Sequence, residues 1–125
     1  MTAEALFNAY KMEEGSVVPG PDHFVNFLGV KTRAANLPQC DDIKGKTFPE
    51  IPDEHLGDKL FAGAPEYKAI LTAVDSCKGA DSITIVEIGA GWGPWVSAGG
   101  VAARKVGIPH INLIAVEADV DKFAR

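Results

Sequence analysis

The apolar positions in the second half of the chain fall into regular patterns. Tyr67, Ile70, Leu71, Val74 and Cys77 recur at i, i+3, i+4, i+7 and i+10, a single stripe on a 3.6-residue period. The spacing predicts a helix opened by Pro65 and Glu66, where a missing N–H costs nothing and a negative charge meets the positive helix end. Gly79 is its natural stop. The run "SITIVEIG", residues 82–89, is short, β-branched and almost continuously apolar, which predicts a strand covered on both faces. A second helix is expected from Pro94 to about Val106, with Arg104 and Lys105 in its last turn and Gly107 and Pro109 beyond it. "INLIAV", residues 111–116, reads as a second buried strand. Strand, helix and strand in this order make a βαβ unit, with parallel strands joined by a right-handed crossover.

The first 64 residues are less regular and hold most of the prolines. Ala3 to Met12 predicts one short helix with Leu6, Phe7 and Tyr10 on a common face. "GSVVPGPD" is a turn-rich connector, and "HFVNFLGV" is apolar enough to be buried, as strand or helix. "LPQCDDIKGKTFPEIPDEH" reads as an extended loop. The expected organisation is a loop-rich extension with short helices over 1–64 and the start of an α/β domain over 65–125.

The chemistry concentrates where the first strand meets the second helix. "GAGWG" places glycines at 89, 91 and 93, just after Glu87. Such a turn lets a ligand approach bare backbone and aims helix-start N–H groups at it. Dinucleotide-binding proteins use G-x-G-x-x-G for this purpose, with a pyrophosphate on the helix N-terminus. Here Gly89 and Gly91 fit, but the third position is Pro94, which has no N–H, and Gly93 gives G-x-G-x-G instead. Glu87 at the end of the strand would repel a dianionic pyrophosphate. It suits a ligand that carries positive charge, such as S-adenosyl-L-methionine, with an ammonium, a sulfonium and no phosphate; the turn's N–H groups are then expected to serve its carboxylate. Glu117, at the end of the second strand, is placed to accept hydrogen bonds from two ribose hydroxyls.

"VEIGAGWGPW", followed by "AVEAD" at 115–119, resembles the cofactor half of the class I, seven-stranded methyltransferases, and among them the FkbM-type group. The resemblance covers roughly residues 65–121, and "HFVNFLGVKT" is similar to segments preceding the fold in some members. It implies an α/β, Rossmann-like methyltransferase fold, truncated here after the second strand: one βαβ unit plus N-terminal helices and loops. It implies that Glu87, Gly89, Ala90, Gly91 and Gly93 line the methionine end of S-adenosyl-L-methionine. Glu117 would hold the ribose, and Ala118 and Asp119 would border the adenine. Members of the group methylate hydroxyl oxygens, often of a sugar or related natural product, with catalytic residues drawn mostly from later strands. Two other readings stand beside this one: a non-catalytic nucleotide-binding or assembly module, and a fragment of an NAD-dependent oxidoreductase.

Composition narrows the partners. A formal net charge of −5, with basic residues scattered, argues against nucleic acid. Cys40 and Cys77 have no metal-ligand spacing and read as free thiols, so no metal is expected. No basic n-region or membrane-length apolar run is present, which predicts a cytoplasmic protein without a membrane partner. His23, His55 and His110 qualify as catalytic bases by residue type only, and none is assigned. Gly99 and Gly100, inside the second helix, point to close helix-to-sheet approach. Trp92 and Trp95 fit packing better than cofactor contact. "DVDKFAR", at 119–125, looks like the first turn of a helix cut short. A two-stranded unit leaves strand edges open, and a homo-oligomer formed through them is expected, with little turnover by this chain alone.

Overall fold

A computed structural model describes residues 1–123 and divides the chain into two compact units, Met1–Ala69 and Ile70–Arg125. In the first unit, α1 (Ala3–Tyr10) is capped by Thr2, whose hydroxyl oxygen accepts the Ala5 N–H at 3.1 Å. Leu6, Phe7 and Tyr10 form its buried face, as their spacing predicts. β1 (His23–Val25) and β2 (Lys31–Arg33) pair antiparallel, with Phe24 opposite Thr32. The apolar stretch 23–30 is therefore a strand followed by a tight reversal. Asn26 holds that reversal: its buried side-chain oxygen accepts the amides of Leu28 at 3.1 Å and Val30 at 3.0 Å. The Phe27 ring sits edge-on to Phe7 and Tyr67, at centroid distances of 5.9 and 5.1 Å.

The expected extended loop from 37 to 55 is more ordered than its composition suggests. It contains a short helix, α2 (Cys40–Ile43), and Thr47 forms a parallel bridge with Val25. Beyond it, Asp58 organises the chain up to the next helix. One carboxylate oxygen accepts the amides of Leu60, Phe61 and Ala62 at 2.9, 3.1 and 3.1 Å. The other accepts the Tyr67 hydroxyl proton at 2.6 Å. α3 (Ala64–Ser76) starts at the expected Pro65–Glu66 signal, and the boundary between the two units falls within it.

The second unit holds the buried Leu71 and Val74 of α3, then β3 (Ser82–Ile88), α4 (Pro94–Lys105), β4 (His110–Val116) and the short α5 (Val120–Phe123). Of the "DVDKFAR" stretch, Ala124 and Arg125 lie outside the described residues. β3 and β4 pair in parallel, with Glu87 opposite Ala115 and Ile88 opposite Val116. α4 covers one face. A Cβ at Gly99 would fall 2.6 Å from Ile85 Cδ1, and one at Gly100 would fall 2.7 Å from Leu113 Cδ1. Close approach thus accounts for Gly99, whereas at Gly100 the contact is with the end of the half-exposed Leu113 side chain.

The opposite face is bare, contrary to the expectation of two covered faces. Val86 and Ile88 are 53% and 75% exposed, and Ile114 and Val116 are 47% and 46% exposed. The strand's apolar run therefore reports a face with nothing over it among the described residues, rather than a buried one. No described helix is long and apolar enough to cross a membrane.

Candidate functional site

The bend from β3 into α4 is built on backbone torsion. Gly89, Gly91 and Gly93 have φ of 71°, 60° and 76°, in the left-handed region that side chains avoid. A Cβ at Gly89 or Gly91 would meet no atom within 4 Å, so conformation, not crowding, requires glycine there, and the space above stays open. The Val116 carbonyl accepts the amides of Gly89 at 2.8 Å and Ala90 at 3.0 Å, which ties the bend to the end of β4. The Gly93 amide donates to the Ala90 carbonyl at 2.9 Å.

Two carboxylates complete the bend. Register puts Glu87 on the α4 side of the sheet, and its Oε2 accepts the Trp95 and Val96 amides, both at 3.0 Å. A helix leaves its first N–H groups without intrahelical acceptors, and Pro94 at the start of α4 has none to offer. Glu87 therefore caps α4 from the neighbouring strand. Glu117 reaches across from β4: Oε2 accepts the Gly91 amide at 2.6 Å and Oε1 the Asp119 amide at 2.8 Å. The Asp119 amide first, and the Gly91 amide second, hold the Glu117 carboxyl below its ordinary range.

The remaining candidates divide. Ala118 and Asp119 are exposed after β4. Asp119 Oδ1 accepts the amides of Asp121 at 3.0 Å and Lys122 at 3.2 Å and so starts α5. Ala90 is buried. The structure thus brings Glu87, the three glycines and Glu117 together around one bend.

It differs from the sequence reading on the amides. The N–H groups of Gly89, Ala90, Gly91, Gly93, Trp95 and Val96 all have acceptors within the protein, so these are not waiting for a ligand carboxylate. The reason is proximity: strand-end carboxylates lie within reach of a positive helix end and satisfy it. Sequence reasoning noticed both acids but missed these partners. The usable signal was Pro94, which makes Trp95 and Val96 the first amides of α4 in need of an acceptor.

Within the second unit, His110 lies at the opposite end of β4 from Glu117; His23 and His55 belong to the first unit. No group of three or more His, Cys, Asp or Glu among the described residues could hold a metal ion. The first unit contains hollows, one of about 410 Å³ lined by Asn26, Phe27, Phe48 and Asp58 among others. Glu50, Asp53 and Lys59 also line it, and Asp53 is tied to the His55 and Leu56 amides of its own loop. The bend is the candidate site because its open glycine surface meets two carboxylates, whereas Asp58 is already committed to Tyr67 and three amides.

No protein-family model matches the chain, and no solved structure matches it. The chain is 35% identical over 112 residues to a protein of Jannaschia sp. (strain CCS1) that carries the name "Putative methyltransferase". The match takes in 87% of this chain and 37% of that protein. What the chain is similar to, then, is a protein named for methyl transfer, of which it spans little more than a third.

Proposed function

We propose that this chain carries the cofactor-binding part of an S-adenosyl-L-methionine-dependent methyltransferase of the FkbM type, on a Rossmann-like α/β unit. The whole protein would methylate a hydroxyl oxygen of a sugar or natural product. One observation carries the reading: Glu87 and Glu117 flank a single glycine bend whose outer surface is open. Two negative groups beside uncovered backbone favour a ligand with an ammonium and a sulfonium over one with a pyrophosphate. The similarity to a protein named for methyl transfer agrees with it.

In this reading Gly89, Gly91 and Gly93, with the backbone of Ala90, form the wall against the methionine end. Glu87 keeps Oε2 on α4, and Oε1, which makes no hydrogen bond among the described residues, takes the ligand ammonium. Glu117 has lone pairs to spare beyond its two amides and accepts the ribose hydroxyls, with Ala118 and Asp119 beside the adenine. The bound cofactor supplies an electrophilic methyl on a sulfonium. This chain's part is to hold the cofactor's orientation, since methyl transfer depends on alignment of acceptor, methyl and sulfur. No described residue is assigned as the base that takes the acceptor's proton, and the chain alone should bind without measurable turnover.

Calorimetric titration tests this. S-adenosylhomocysteine should bind the wild type, and Glu117→Ala should weaken it on the order of tenfold, the loss expected for hydrogen bonds to a charged group. A preference for NAD over S-adenosylhomocysteine would reject the proposal.

A further inference from the structure

In helix-terminus phosphate sites, the ligand's oxygens sit on the first amides of the helix. In α4 those amides belong to Trp95 and Val96, because Pro94 has no N–H, and both already donate to Glu87 Oε2 at 3.0 Å. A carboxylate of the protein thus stands where a phosphate oxygen would stand. A second carboxylate oxygen, from Glu117, occupies the Gly91 amide at 2.6 Å. The two acids differ in kind: Glu87 fills the helix start itself, whereas Glu117 fills the turn ahead of it.

We infer that Glu87 is a specificity-determining residue that acts as a built-in anion. It occupies the phosphate seat of α4 and so restricts the bend to nucleosides that carry no phosphate beside it. This rests on reading the bend as a nucleoside site and goes further, because it assigns the exclusion of phosphates to occupied amides and not to long-range repulsion alone. Removing the side chain leaves the Trp95 and Val96 amides without that acceptor, at the positive end of a 12-residue helix. Removing only its charge leaves a neutral amide oxygen on the same two donors.

The experiment titrates ADP, inorganic phosphate and S-adenosylhomocysteine into the wild type, Glu87→Ala, Glu87→Gln, Glu117→Ala and Glu117→Gln. Amide hydrogen exchange across α4 confirms that each variant is folded. Glu87→Ala should bind ADP and phosphate on the order of tenfold tighter than the wild type, with a smaller gain in Glu87→Gln. The two Glu117 variants lose an equal charge from the same bend and should show no comparable gain. A merely structural role for Glu87 would lower affinity for every ligand and raise it for none.

The inference is overturned if Glu87→Ala takes phosphate no better than the wild type, or if the Glu117 variants gain as much. Should Glu87→Ala fail to fold, the comparison of Glu87→Gln with Glu117→Gln decides: a gain confined to Glu87→Gln supports the inference, and equal behaviour ends it. Failure of the wild type to bind S-adenosylhomocysteine would remove the methyltransferase reading while leaving the phosphate result to stand or fall separately.

Discussion

Asp58 shows how much a single side chain can organise. It gathers three backbone amides and the Tyr67 hydroxyl, so Asp58→Ala removes acceptors from four donors at once. A destabilisation of about 3 kcal/mol is expected, at the upper end for charge-assisted hydrogen bonds, readable by urea unfolding. Tyr67→Phe loses one of the four and should cost about 1 kcal/mol. Burial first, and the Asp58 charge second, push the Tyr67 hydroxyl well above its ordinary value of 10.0. The sign follows from the raised folded value: stability from this pair is complete below the ordinary value and drains away as pH rises above it, because the unfolded tyrosine ionises first. Wild-type stability should therefore fall more steeply than that of Tyr67→Phe from roughly pH 10 upward. Equal slopes would show that the hydroxyl is not held in this way.

Among the elements, Gly99 and Gly100 look alike in sequence and separate in the structure. A Cβ at Gly99 meets Ile85 Cδ1 at 2.6 Å and two atoms of Ile70, at 3.1 and 3.3 Å, so it is hemmed in from two sides. At Gly100 the three nearest atoms all belong to Leu113, whose half-exposed side chain can swing away. Alanine gains roughly 1 kcal/mol over glycine in a helix interior. Gly100→Ala should consequently be neutral or slightly stabilising, whereas Gly99→Ala should lose about 1–2 kcal/mol to overpacking, measured by thermal unfolding. The elements from α3 onward were legible in the sequence because their signals are local: Pro65 and Pro94 at starts, Gly79 and Gly107 at ends, and short β-branched apolar runs or 3.6-residue patterning between. The stretch from 37 to 63 was not. Its order comes from specific side-chain and bridge partners, Thr47 with Val25 22 positions away and Asp58 with Tyr67 and three nearby amides, which hydrophobic patterning does not announce. The candidate site was half legible for the same reason. Its residue types could be read from "VEIGAGWG" and "VEAD", but the Glu117–Gly91 hydrogen bond spans 26 positions and only the fold reveals it.

For the molecule as a whole, the bare face of the second unit is the main liability. Val86, Ile88, Ile114 and Val116 present an apolar surface beside strand edges with no partner strand among the described residues. Such edges and patches favour association. Sedimentation velocity should show self-association of the chain as concentration rises, and the double variant Val86→Lys, Ile88→Lys should move it toward monomer. A compact wild-type monomer throughout the concentration range would reject this. The glycine bend has the opposite character, since the amides of its three glycines are already satisfied before anything binds. A nucleoside arriving there need not freeze a wandering loop, so the entropic toll of capture should be small. Encounter ought then to be governed by diffusion and solvent viscosity, and the discrimination between one nucleoside and another will lie in how long each one stays.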